Sequence, residues 1–194
     1  MTIFSGFTQN TPKHYQLDAG AFLKNYDVTK DTWESAKATK LIGATSGGGS
    51  FAATPTIRRI EVDGVKGAVK GGETIDEWVV TLTANVKEIT AETFKMSLAA
   101  ADTSEATAPA NYTKITARGE IKMEDYMDNV TWVGRLSGSN DPVIIVVKGA
   151  LCTNGLTITF ADKTEGVIPV TVTGHYDPAD LETPPFDIFY PKVG

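Results

Sequence analysis

Across residues 77–86 the chain alternates between two kinds of side chain with a period of two. Trp78, Val80, Leu82, Ala84 and Val86 fall on one side, and Glu77, Thr81, Thr83 and Asn85 on the other, with Val79 the interruption. Successive side chains of a strand point to opposite faces, so the segment predicts a strand with one dry and one wet face. Leu156, Ile158 and Phe160 against Thr157 and Thr159 predict a second, and Ile168, Val170 and Val172 against Thr171 and Thr173 a third. Residues 142–148 differ. They are almost continuously apolar and β-branched, which predicts a strand covered on both faces, at the centre of a sheet or in a subunit interface.

One helix is well signalled. Thr90 can cap it, Glu92 sits in its first turn, and Ile89 with Phe94 matches a hydrophobic staple. The pattern predicts a helix from Ala91 to about Ala101, burying Phe94, Leu98 and Ala101 and stopped by the Asp102 to Pro109 stretch. A weaker signal over residues 31–38, with Asp31 as cap, suggests a second helix of two turns. Many short strands and one firm helix describe a single β-rich α+β domain over residues 1–194, a sandwich or barrel with one flanking helix. No fixed-period repeat points to a solenoid or propeller.

Two stretches are unlike ordinary connections. Residues 43–55 (GATSGGGSFAATP) hold three consecutive glycines, and residues 64–72 (GVKGAVKGG) combine four glycines with two lysines. Both read as too flexible for core strands. Between them, residues 57–62 alternate as a strand would, and Asp63-Gly64 is a turn signal. Together they predict a long extended loop over about residues 42–76, either an arm that makes contacts or a solvated loop. Residues 183–191 (TPPFDIFYP) are extended and apolar at once. Such a tail, reaching to residue 194, packs on its own domain or docks on a neighbour by pairing with an open sheet edge.

Composition excludes several classes. With 24 acidic residues against 18 Lys and Arg the formal charge is -6, which leaves no basic excess for neutralising phosphates. The single Cys152 permits no disulfide framework within one chain, and with only His14 and His175 no Cys/His zinc cluster can form. Cys152, in an apolar stretch, reads as a core thiol. Residues 1–15 lack the basic start and apolar run of a secretory signal, and the longest apolar run is too short to cross a bilayer, so synthesis in a reducing cytoplasm without membrane insertion is expected. Charge is also uneven. Residues 1–60 carry a net +3 and residues 161–194 a net -4, either a scatter of solvated charge or the opposite-signed ends of a head-to-tail assembly.

Catalytic signatures are missing. The glycine stretches contain neither a phosphate-binding G-x-x-x-x-G-K-[ST] nor a dinucleotide G-x-G-x-x-G, and Ser46 is not in a nucleophile elbow. Asp177, Asp180 and Glu182 lack the spacing of a calcium loop. Glu124, Asp125 and Asp128 can be read as a carboxylate pair for sugar hydrolysis, which needs a separation of about 5 to 10 Å that loop neighbours do not control. Asn111 and Asn129 open chance glycosylation patterns. No enzyme activity, cofactor or metal is expected.

Three segments in order, LDAGAFLKNYDV (17–28), TKLIGATSGGGSFAATPTIRRIEVDGVKG (39–67) and EWVVTLTANVKEITAETFK (77–95), carry a family resemblance. The chain resembles the tail tube protein, also called the major tail protein, of long-tailed phages or prophages of Gram-positive bacteria. The likeness covers about the first 100 residues; beyond Ala101 it rests on the order of elements.

The resemblance implies a tail-tube-like β-rich domain that forms six-subunit rings, stacked into a hollow tube for genome passage. It also implies inner sheets joined between subunits and a long loop or hairpin reaching an adjacent ring. By that analogy residues 42–76 supply the arm, the strand 78–86 joins the ring sheet and the helix 91–101 covers the outside. The contact residues then expected are Gly47, Gly48, Gly49, Phe51, Arg58, Arg59, Lys66 and Lys70 in the arm, with Phe186, Ile188, Phe189 and Tyr190 in the tail. Implied partners are further copies of the chain, the tape measure, tail terminator and distal tail proteins, and double-stranded DNA in transit, with the virion tail as destination. DNA carries one negative charge per about 1.7 Å of axis, so an acidic wall would let it pass without sticking. Two alternatives stand beside this: a carbohydrate-binding or adhesin-like sandwich using Trp33, Trp132, Tyr126 and Tyr176, and a hydrolase built on residues 124–128.

Overall fold

The computed structural model describes residues 4–193. The first three residues of the 1–15 segment and the last residue of the tail therefore lie outside the described residues. The element order is β1 (Ala21–Lys24), α1 (Trp33–Thr39), β2 (Thr45–Arg59), β3 (Glu73–Val86), α2 (Ala91–Ser97), β4 (Ala101–Glu105), β5 (Thr113–Ala117), β6 (Met127–Gly134), β7 (Val143–Cys152), β8 (Ile168–Thr173) and β9 (Phe186–Phe189). This is a β-rich α+β fold. Seven strands form one antiparallel sheet in the order β1-β6-β7-β8-β3-β2, with β9 also on β7, while β4 and β5 form a separate hairpin.

Strand β7 joins the two halves of the sheet. Its first part pairs with β6 and β9, and Leu151 and Cys152 then pair with β8. Between its last pair with β9, at Val147, and its first with β8, at Leu151, lies Gly149, where φ is +53° and a Cβ would stand 2.7 Å from the carbonyl oxygen of His175. The alternating faces meet in one core: Phe22, Val130, Val147 and Ala150 from β1, β6 and β7, against Val80, Leu82, Ala84 and Val86 of β3 and Ile168, Val170 and Val172 of β8. At roughly 25 cal/mol per Å² of apolar surface, burying this face is the main stabilising term. Residues 77–86 and 168–173 thus form strands as their patterns predict, and the covered run beginning at Pro142 lies at the sheet centre.

The glycine-rich residues 43–55 are not the flexible loop expected. They enter β2, a fifteen-residue strand paired with β3 along nearly its whole length. The register jumps from Thr45 opposite Val86 to Gly49 opposite Ala84, so Ser46, Gly47 and Gly48 form a bulge against Asn85 alone. Gly47 and Gly48 take left-handed φ values of +76° and +69° there. At Gly49 a Cβ would lie 2.0 Å from the Thr83 carbonyl oxygen and 2.6 Å from the Phe22 ring. The glycines thus let two strands approach while one carries extra residues. The loop proper is residues 60–72, with Asp63 and Gly64 in a turn, and the strand predicted over 57–62 stops at Arg59.

Three further expectations are corrected. Residues 156–160 pair with nothing, because the side chain of Asn154 takes the place of a strand against β8: Oδ1 accepts from the Thr171 N–H at 3.0 Å and Nδ2 donates to the Pro169 carbonyl at 2.6 Å. Leu156 and Ile158 still pack on the core, but Phe160 is 83% exposed. Helix α2 has the expected capping residue, Thr90, in a reciprocal box with Thr93, yet it ends at Ser97. Ala99 turns left-handed at φ +61° and Ala101 opens β4, so part of the stretch expected to end the helix is a strand. The buried positions of α2 are Thr93 and Ser97, whose hydroxyl donates to the Thr93 carbonyl at 2.7 Å. Helix α1 is present, so two short helices flank the sheet, and its cap is Thr32. Asp31 instead accepts from the Asp27 N–H and from Lys40 at 2.5 Å, which holds its carboxyl below the usual range.

Replacing Gly49 by Ala should lower stability by about 1–3 kcal/mol in urea unfolding, because the added methyl meets backbone. Gly67→Ala, in open space at the arm tip, should change it by less than about 0.5 kcal/mol.

Candidate assembly interface

Strand β2 ends the sheet, so the side of its backbone away from β3 has no strand partner among the described residues. Pro55 within it fits this position, since a residue without an N–H is tolerated at an edge. The opposite edge is partly closed: Lys24 N–H donates to the Lys40 carbonyl and Ile42 N–H to that of Phe22. The long unpaired border of the molecule is therefore β2.

The β2–β3 hairpin also runs past the body. Past the Pro55 and Trp78 pair the register shifts after Thr56, and the next apolar pair, Ile57 opposite Ile75, is 58% and 50% exposed. Beyond the body the arm is stiffened by local contacts. Arg58 Nε donates to both oxygens of Asp76 at 3.0 and 3.1 Å, Thr56 donates to Glu77 at 3.2 Å, and Arg59 Nη2 reaches the Gly67 carbonyl at 2.6 Å. Lys66 and Lys70 are exposed on the loop and make no ion pair among the described residues.

The arm and tail residues singled out from the sequence divide into two groups. Gly47, Gly48, Gly49 and Phe51 line a cleft of about 470 Å³ between the sheet halves, with Phe22 and Trp132. The tail packs on its own domain. β9 pairs with β7 from Ile144 opposite Phe189 to Val147 opposite Phe186, and Asp187 pairs with Lys148 at 2.7 Å. The Phe186 ring lies 5.9 Å from Phe51 and 5.4 Å, edge-on, from Trp78. Phe51 and Phe186 thus spend their rings inside the chain. Ile188, Phe189 and Tyr190 face outward, and the Tyr190 hydroxyl is 2.9 Å from His14 Nδ1, tying the two ends of the chain together.

A feature not evident in the sequence is a cleft of about 740 Å³ where Tyr126, Met127 and Asp128 meet residues 175–185. The Tyr126 and His175 rings stand perpendicular at 5.1 Å, and the Tyr176 hydroxyl accepts the Trp78 N–H at 2.9 Å. Asp177 and Asp180 each accept backbone N–H groups through Oδ1. Bonds from Thr183 and Glu182 hold the Asp180 carboxyl below its usual range, so it stays charged. Only the density of Tyr, Asp and Pro in residues 176–185 hints at the cleft beforehand.

The alternative sites fare differently. Asp125 is paired with Arg118 and accepts the Lys122 N–H at 2.7 Å, which ties it to its own loop, while Glu124 and Asp128 are exposed. Trp132 donates its indole N–H to the Ala19 carbonyl at 2.9 Å, leaving Trp33 as the exposed tryptophan of the proposed aromatic set. Cys152 is buried and free, and burial pushes its thiol pKa up. Among the described residues no group of three His, Cys, Asp or Glu side chains is placed to hold a metal ion, and no helix is long and apolar enough to cross a membrane. No protein-family model matches the chain, and no curated protein matches it.

Because its ring fills a gap between Phe51 and Trp78, Phe186→Ala should cost about 2–3 kcal/mol, somewhat less than for a fully buried ring. Ile188→Asp on the outward side should cost less than about 0.5 kcal/mol in the same thermal unfolding assay.

Proposed function

We propose that the chain is a structural virion protein, a tail tube protein whose tail-tube-like β-sandwich polymerises as stacked six-subunit rings into the conduit for genome delivery. The observation that carries this reading is the unfinished border of the sheet: fifteen residues of edge strand running into an arm that carries exposed Ile57 and Ile75 beyond the body. A monomeric protein normally blunts such an edge with charge, a bulge or a covering element. Here one bulge lies at the root of β2 and a second register shift follows Thr56, and between them residues 49–56 pair with β3 without a break while their other border stays open. A ring of identical copies removes the edge, and the arm tethers a neighbour.

The electrostatics suit a conduit. The chain is net negative, and the outer face of the β2, β3 and β8 sheet carries short hydroxyl side chains, among them Ser50, Thr54, Thr81, Thr83, Thr171 and Thr173. The cation on that side of β2, Arg58, is held by Asp76, so the hydroxyl-lined wall offers DNA phosphates little to hold. In this reading the protein has no catalytic role or cofactor. Besides its own copies, its partners are the tape measure, tail terminator and distal tail proteins.

Electron microscopy of the purified protein at rising concentration should show rings and hollow tubes. Deleting residues 64–72 should leave a folded protein that forms no tubes, and normal tubes from the deletion variant would remove the arm from assembly. Raising ionic strength should reduce tube yield if charge guides association.

A further inference from the structure

We propose that the cleft where Tyr126, Met127 and Asp128 meet residues 175–185 binds a neutral saccharide, with the sugar's C–H groups against the aromatic rings and its hydroxyls on Asp128 and Asp177. The inference goes beyond the assembly reading and does not rest on it, because every wall of the cleft comes from one copy. At about 740 Å³ the cleft has the size of a small-molecule site, roughly 300–1,000 Å³.

The aromatic wall is held in place by the strands behind it. Gly149 has no side chain and a left-handed φ, so the backbone of His175 can approach β7 where a Cβ would stand 2.7 Å from its carbonyl oxygen. A carbonyl only accepts, so His175 Nδ1 donates to that of Gly149 at 2.8 Å, which leaves Nε2 of the neutral ring as an acceptor. The Tyr126 ring crosses that of His175 at 90° and 5.1 Å, which fixes both. Tyr176 is anchored through its hydroxyl oxygen, which accepts the Trp78 N–H and keeps its own proton to donate. The C–H groups of a sugar ring carry slight positive charge and pack on the negative faces of such rings.

The polar groups are mixed in charge and in hydrogen-bonding sense. Lys148 is paired with Asp187 at 2.7 Å and also acts on Asp180, whose carboxylate takes the Thr183 N–H and hydroxyl as well. Asp180 therefore positions its own turn. Asp177 spends Oδ1 on the Ala179 N–H, and Asp128 is exposed and makes no ion pair among the described residues. Left open are acceptors on Asp128, Asp177 Oδ2 and His175 Nε2, beside the hydroxyls of Tyr126 and Tyr176. A phosphorylated or carboxylated ligand would meet like charge at Asp128 and Asp177. The carboxylates are also spread too widely for an ion: among the described residues no three His, Cys, Asp or Glu side chains are placed to hold a metal. A saccharide suits what is left, because each hydroxyl both donates and accepts, and two neighbouring hydroxyls match the two oxygens of one carboxylate.

The test uses the full chain in dilute solution. An array of neutral, amino-substituted and carboxylated oligosaccharides, followed by isothermal titration calorimetry with the best neutral trisaccharide, should show saturable binding. D128N and Y126F remove one carboxylate and one hydroxyl with little change of shape. Each should weaken binding by about tenfold or more while circular dichroism stays unchanged, and G67A, at the arm tip, should bind as the unaltered protein does. Three results would overturn the proposal: no binding to any neutral oligosaccharide, binding confined to the amino-substituted or carboxylated sugars, or undiminished affinity in both D128N and Y126F. None of these bears on ring formation, which electron microscopy reads separately.

Discussion

Burial of alternate side chains along β3, from Trp78 to Val86, fixes where the other elements go. That face is dry only if β8 lies on one side, β2 on the other, and the β1, β6 and β7 half of the sheet closes over it. The alternation is broken just past Trp78 by a register shift that skips Asp76, and beyond it the pair Ile57 and Ile75 is exposed on the arm. One hairpin thus supplies both the centre of the core and the projecting arm. Trp78 links the core to the root of the arm: its ring packs on Phe186 and its backbone N–H donates to the Tyr176 hydroxyl.

Side-chain periodicity made the sheet legible. Residues 77–86 and 168–173 announce their strands by a period of two, and residues 142–148 announce theirs by a nearly unbroken β-branched run. Residues 156–160 show the same period without pairing: alternation reports which side chains face the core, and the Asn154 amide had already met the hydrogen-bonding needs of the β8 edge. Glycine misled in the other direction. A run of glycines has no side-chain pattern to read, and whether it is loose or locked depends on the neighbour it must let approach, here Thr83 and Phe22.

Helix ends were legible where a side chain makes the cap and illegible where backbone geometry does. Thr90 was identifiable from its hydroxyl, whereas the left-handed turn at Ala99 follows from β4 pairing with β5. The candidate interface divides along the same line. The arm and tail were visible as unusual composition, but the engagement of Phe51 and Phe186 within the chain, and the convergence of Tyr126 and Asp128 with residues 175–185, depend on contacts between distant segments.

The central claim is that the free edge of β2 is completed by another copy of the chain. In an antiparallel strand about half of the backbone N–H groups point away from the existing partner, so they are open to solvent in a monomer and bonded once the edge is paired. Amide hydrogen exchange of the unaltered protein, followed from dilute solution to the concentration at which particles appear, measures this directly. The account predicts that amides in residues 49–59 become strongly protected together with particle formation; particles that form while those amides exchange as fast as in the monomer would contradict it.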